Sequence, residues 1–262
     1  MMNRRVFLLV LAVTSSQFAP AQPVPALHKE GSMHGFLLVK SAQGKVIAVG
    51  DLVQVAEGDQ IRSRLLFRFR DGSIDDESTL FLQKDVLRLV SDHHVQKGPS
   101  FPAPLNMTID VPASEVTWEE AKRGKLEVHK DRLELPNDLA NGIVPAVMEN
   151  LSQDAAETKV SYLASAPKPR LVTLSVKPDG RERFTVGGLV YFANRYVMHA
   201  ELGGLAGLIA PLIGKQPTDS RGWVVPGEVP SFARLEGAFY PGGPVWTVEL
   251  SSPLWSSAEA SR

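Results

Sequence analysis

From Gln60 to Gln96 the chain alternates apolar and polar residues with a period of two, the pattern of strands that bury one face. Ile61, Ser63, Leu65, Phe67 and Phe69 fall on one side of the first strand, and Arg62, Arg64, Arg68 and Arg70 on the other. Asp71-Gly72 follows, a dipeptide that tolerates positive φ and predicts a two-residue hairpin loop. Such a loop opposes Phe69 with Ile74, Phe67 with Asp76, Leu65 with Ser78 and Ile61 with Leu82 on the inner face. It also sets Arg68 against Asp75 on the outer face, an opposite-charge cross-strand pair. A second hairpin closed at Lys84-Asp85 continues the pattern, with Leu82 meeting Leu87, Leu80 meeting Leu89, Ser78 meeting Ser91 and Asp76 meeting His93.

Further strands are expected at Phe36–Ser41, Val46–Ala56, Leu105–Asp110, Lys125–Leu135, Lys159–Ser165, Leu171–Lys177, Glu182–Val186, Leu189–Leu202 and Val245–Ser251. Most are bounded by turn signals such as Gln43-Gly44, Gly58-Asp59, Pro178-Asp179-Gly180 and Pro241-Gly242-Gly243. Strands that follow one another through short loops pair as a meander and not through βαβ crossovers. The expected fold is therefore mainly β, a curved antiparallel meander sheet or half-barrel. One helix is expected over Asn137–Leu151, with Leu139, Ile143, Val147 and Leu151 spaced by four; Gly142 and Pro145 argue for a kink or a late start near Asn141. It should cover the concave face of the sheet. Residues 202–214 form a second short apolar segment, too short to span a bilayer.

The chain opens with Arg4 and Arg5, an apolar run from Val6 to Val13, and Ala19-Pro20-Ala21 before Gln22, the pattern of a secretory signal peptide over residues 1–21. This implies a periplasmic or secreted location. Residues 22–32 are Pro-rich and polar and read as a flexible N-terminal segment, 33–255 as one antiparallel β domain, and 256–262 as a polar tail. The chain has no Cys, so a disulfide framework and a lipidated cysteine are both excluded. The excised segment holds two arginines and no acid, taking the net charge from −1 to about −3, which leaves no electrostatic footprint for nucleic acid.

The runs DGSIDDESTLFLQ (71–83), LRLVSDHHVQKGPSF (87–101), LPNDLANGIVPAVMENL (135–151) and GGLAGLIAPLIGKQP (203–217) resemble an uncharacterised family of secreted bacterial β-rich proteins. In outline the arrangement is also similar to periplasmic half-barrels of the lipoprotein-carrier type, in which a curved sheet wraps a helix. These resemblances imply an envelope or secreted location and an apolar cavity, and they carry over no catalytic residue.

Motif chemistry is sparse. His93 and His94 are adjacent on a strand and point to opposite faces; the other histidines lack ligand spacing, so no metal site is expected. Gly187-Gly188 and Gly203-Gly204 are not followed by the residues of a phosphate loop, and no cofactor is implied. The sharpest constellation is Asp76 with His93, placed opposite each other on the inner face by the two hairpin registers, with Ser78 and Ser91 one pair along. The leading expectation is a binding or carrier protein for an apolar small molecule or lipid. Its site is lined by Leu65, Phe67, Leu80, Leu89 and Val147, with Asp76 and His93 as polar contacts. The alternatives are an envelope structural or interaction module presenting the arginine-rich face, and a hydrolase-like enzyme using Asp76 and His93.

Overall fold

The computed structural model describes residues 21–122, 125–151, 154–165, 168–186, 189–201 and 217–251. The apolar run of the signal peptide, the 202–214 segment and the 256–262 tail lie outside these residues. The described strands are β1 (Met33–Lys40), β2 (Val46–Glu57), β3 (Gln60–Phe69), β4 (Ile74–Gln83), β5 (Leu87–Lys97), β6 (Leu105–Asp110), β7 (Glu115–Lys122) and β8 (Lys125–Arg132). After the helix α1 (Val144–Glu149) come β9 (Thr158–Ala164), β10 (Arg170–Val186), β11 (Leu189–Glu201), β12 (Ser220–Val225), β13 (Ser231–Ala238) and β14 (Val245–Leu250).

All fourteen join one antiparallel sheet in the order β8-β7-β6-β5-β4-β3-β2-β1-β14-β13-β12-β11-β10-β9. Except for β8 and β9, consecutive strands pair with each other, as a meander requires, and the first and last strands meet in the middle of the sheet through Leu37 opposite Leu250. The free edges are therefore β8 and β9, which are consecutive in sequence, and the sheet is not closed into a barrel. The connection between them passes through the interior. Its Leu139, Ala140, Ile143, Ala146 and Val147 pack in one core with Ile61, Phe81, Leu89, Ile109, Val116 and Val160. Met148 enters a second core with Val176, Tyr196 and Val224. A sheet whose two halves share one crossing segment as core must curl around it.

Both edges are protected. β8 (KLEVHKDR) carries five charged side chains and stays exposed, which discourages pairing with another chain. β9 is covered by the crossing segment: Leu139 bridges Ser161 in parallel, and Ala140 N–H donates to the Ser161 carbonyl. Buried Asn141 then stands in for a strand, donating to the Leu163 carbonyl at 3.0 Å and accepting from Leu163 N–H at 2.8 Å. Without that amide, two buried backbone groups would lose their partners, at a cost of about 1–3 kcal/mol each.

The helix is much shorter than the apolar spacing suggests. It begins at Val144 with Pro145 in its first turn and ends at Glu149. Residues 137–143 instead run as turns whose polar groups are consumed by the β9 edge, so tertiary pairing overrides the helical period. The Pro178-Asp179-Gly180 turn signal is a register shift inside the long strand β10, so two expected strands are one. β7, β12 and β13 carried no clear signal. In β12 the pattern is broken by Gly222, where an added Cβ would lie 2.2 Å from the sulfur of Met148; the glycine is the place where α1 rests on the sheet. Residues 22–32 are not loose either. Val24 is buried, its carbonyl accepts from Leu87 N–H at 2.8 Å, and His28 N–H donates to Asn150 Oδ1 at 2.7 Å.

The two hairpins differ from expectation by single residues. The first loop holds three residues, Arg70, Asp71 and Gly72, with Phe69 N–H bonded to the Ser73 carbonyl and Gly72 at φ 87°. Arg68 therefore faces Ile74, Phe67 faces Asp75 and Ile61 faces Phe81. In the second hairpin a bulge at Val90 shifts the register between Phe81–Leu89 and Leu80–Ser91, so that Glu77 opposes His94 and Asp75 opposes Gln96. Because a one-residue slip turns a strand over, every side chain of β4 points to the face opposite the one expected.

Candidate functional site

The slip brings a different set of polar groups inside. Asp75, Glu77 and Thr79 of β4 face inward beside Asp92, His94 and Gln96 of β5, and four of the six are almost wholly buried. His94 Nε2 lies 3.0 Å from Asp75 Oδ1, a diagonal cross-strand contact. Gln96 Nε2 donates to the other oxygen of Asp75 at 2.8 Å and to the Phe239 carbonyl at 3.0 Å. Thr79 Oγ1 donates to Asp92 Oδ1 at 3.2 Å, while Asp92 Oδ2 is buried with no hydrogen-bond partner. Glu77 lies 4.0 Å from Nδ1 of His94, beyond hydrogen-bond length. Gly142 of the crossing segment closes over the group, its Cα next to Thr79 and Asp92.

The electrostatics follow from the enclosure. Burial alone would lower the His94 pKa, but the hydrogen bond to Asp75 and the charges of Glu77, Asp75 and Asp92 outweigh it and push the imidazole up to about 9. Burial raises Glu77, with Asp75 adding to the rise and His94 opposing it. Burial and the charge of Glu77 push Asp92 well above the ordinary carboxylate range. Tyr162 of β9 faces the same three carboxylates, and burial together with their charges raises its phenol. The group thus holds an Asp75–His94 ion pair, beside an Asp92 whose carboxyl is pushed toward its protonated form. Glu77 and His94 nevertheless keep 24% and 18% of their side-chain surface accessible.

The residues expected to line a site are distributed otherwise. Asp76 points outward, and both its oxygens are taken by Arg64 at 2.9 and 2.7 Å. His93 is exposed on the outer face, 2.9 Å from Asn106 Oδ1. Leu80, opposite Ser91 and Arg62, shares that face. The Asp76–His93 pair is therefore not formed. Leu89 and Val147 are packed core, and Phe67 sits in an aromatic cluster with Phe239 (ring centroids 5.7 Å apart), beside partly buried Leu65. Sequence reasoning thus reached an inward Asp–His pair on the right two strands, but with Asp76 and His93 where the structure has Asp75 and His94. Of the arginine-rich outer face, Arg62, Arg64 and Arg68 are exposed, with Arg64 committed to Asp76.

A cleft of about 180 Å³ lies beside α1 and includes Glu149, Asn194 and Tyr196. That is below the roughly 300 Å³ at which small-molecule sites begin. Glu149 accepts from Phe232 N–H at 2.6 Å, and burial plus its contact with Glu30 push its carboxyl well up. This pair ties the N-terminal segment to α1. Among the described residues no group of three or more His, Asp or Glu is placed to hold a metal ion, and no helix is long and apolar enough to cross a membrane.

No protein-family model matches the chain, and no curated protein matches it. Among solved structures it is similar to the beta-barrel-like protein of the domain of unknown function DUF1849 from Brucella abortus. The TM-score is 0.46 at 6% sequence identity, over 87% of this chain and 100% of that one.

Proposed function

We propose that this chain is an exported binding or carrier protein that holds one small ligand in the polar interior of its curled sheet. The observation that carries the reading is the inward polar face of β4 and β5. A strand whose inner positions are Asp75, Glu77, Thr79 and Gln83 with Phe81 the one large apolar side chain breaks the rule that the buried face is apolar, and such breaks concentrate at functional sites. The bulge at Val90 supports it, because it re-aims β5 so that Asp92, His94 and Gln96 join them. Of the apolar residues first expected to line the site, Leu89, Val147, Phe67 and Leu65 are taken up by core clusters and Leu80 lies on the outer face, so recognition rests on the polar groups, with the surrounding core fixing their positions. The signal-like N-terminus and the resemblance to secreted β-rich proteins support a place outside the cytoplasm.

A thermal-shift screen of small polar molecules against the protein and its Glu77→Leu variant tests this. Binders should raise the melting temperature of the parent and lose that effect in the variant. A screen without binders, or one whose binders ignore Glu77→Leu, would sink the reading.

A further inference from the structure

We propose that the outer face of β1–β5 docks on the surface of an anionic lipid bilayer. This contact is separate from the interior site and does not depend on it. The solvated face of an antiparallel sheet is ordinarily polar at every second position, and β1 and β2 break that rule. Leu37, Val39 and Ala48 fill the inner face, yet the residues that alternate with them are apolar too. Phe36 is 60% exposed, Val49 54%, Val53 45% and Val55 42%, so burial within the fold accounts for the inner set only.

β3 supplies charge beside them. The register puts Arg68 between Val49 and Ile74, Arg64 between Val53 and Ser78, and Arg62 between Val55 and Leu80. Further along the same face Arg88 stands opposite Leu82 and Lys97 opposite Ile74. The outer positions of β2–β5 thus carry five Lys and Arg side chains against three acids, Asp51, Glu57 and Asp76, on a chain whose formal net charge is −1. Two of the acids are already engaged, Asp51 by His34 at 2.6 Å and Asp76 by Arg64. Arg62, Arg68, Arg88 and Lys97 make no hydrogen bond or ion pair among the described residues.

Cross-strand neighbours lie about 5 Å apart, so each uncommitted cation stands next to an apolar side chain. A bilayer surface presents the same two chemistries at the same spacing. Its phosphates accept from guanidinium groups, and the acyl boundary just beneath takes Phe36 and the valines. A nucleic-acid backbone would meet the arginines and leave the valines in water. A protein partner is held mainly by a few large anchors seated in pockets, whereas these side chains are mostly short and regularly spaced, as suits a laterally uniform partner.

Vesicle flotation of residues 22–262, the exported form that contains every described strand, tests the proposal. Vesicles containing about one-third phosphatidylglycerol should bind the chain about tenfold or more tightly than phosphatidylcholine alone, with the difference shrinking as salt rises from about 50 to 500 mM. Arg62→Glu combined with Arg68→Glu should weaken the anionic-vesicle binding about tenfold or more. Phe36→Thr combined with Val53→Thr should weaken it about fivefold or more, which a purely electrostatic contact would not show. All four positions are exposed, so the melting temperatures of both variants should stay near that of the parent. Equal binding to neutral and anionic vesicles, or anionic binding unmoved by either variant, would overturn the proposal. A chain that ignores vesicles but self-associates until the arginines are reversed would give the face to a protein contact and overturn it as well.

Discussion

Gly142→Ala is expected to destabilise the protein by about 2–5 kcal/mol. Two costs combine. Gly142 has φ +67°, where an L side chain pays about 1–2 kcal/mol. Its added Cβ would also lie 2.2 Å from Thr79 Oγ1 and 2.9 Å from Asp92 Oδ1, and overpacking of a buried contact adds about 1–3 kcal/mol. Neither neighbour has a long side chain that can swing aside. The crossing segment would be lifted off β4 and β5, with Asn141 drawn from the β9 edge that it pairs. Equilibrium urea unfolding reads the change directly, and a loss below about 1 kcal/mol would show that the crossing segment does not seal the cluster.

The second large effect is on pH. His94 is raised from its ordinary value of 6.5 to about 9 in the folded chain. A group raised in this way contributes stability that is complete below about 6.5 and is lost as pH climbs to about 9, which amounts to roughly 3 kcal/mol. The raised carboxyls Glu77, Asp92 and Glu149 act in the same direction, since the folded state holds protons that the unfolded chain releases above about pH 4. Asp76, held low by its hydrogen bonds to Arg64, acts the other way and weakens the protein only in strong acid. Stability should therefore peak at mildly acidic pH and fall toward pH 9. In His94→Gln, which keeps a donor for Asp75, the imidazole's share of that fall, roughly 3 kcal/mol between pH 6.5 and 9, should be missing, leaving only the share of the raised carboxyls. A parent protein equally stable at both pH values would refute the Asp75–His94 ion pair.

The architecture was readable from periodicity because most strands bury apolar residues at every second position, and a meander follows from the short loops between them. β12 escaped because Gly222 is set by a contact with Met148, far away in sequence, and no local pattern records it. The helix was overdrawn because Leu139 and Ile143 are core residues in turns as well as they would be in a helix. The candidate site was missed by one residue for a related reason. In β4 the alternative faces are Ile74, Asp76, Ser78, Leu80, Leu82 and Asp75, Glu77, Thr79, Phe81, Gln83, and the hydrophobic pattern prefers the first as the buried one. The protein buries the second. Gly72 gave the one local hint, since a glycine in the last loop position also suits a three-residue loop with a left-handed residue. The bulge at Val90, which completes the cluster, depends on pairing with β6 as well, where Val111 N–H bonds the Val90 carbonyl at 3.0 Å.

The central claim is that the polar interior is a ligand site. Native mass spectrometry of the protein extracted gently from its source, followed by denaturation and analysis of what is released, tests it most directly. The expected result is a single small molecule per chain, absent from the Glu77→Leu variant prepared in the same way. The bare chain mass from parent and variant alike, under conditions that preserve noncovalent complexes, would contradict it.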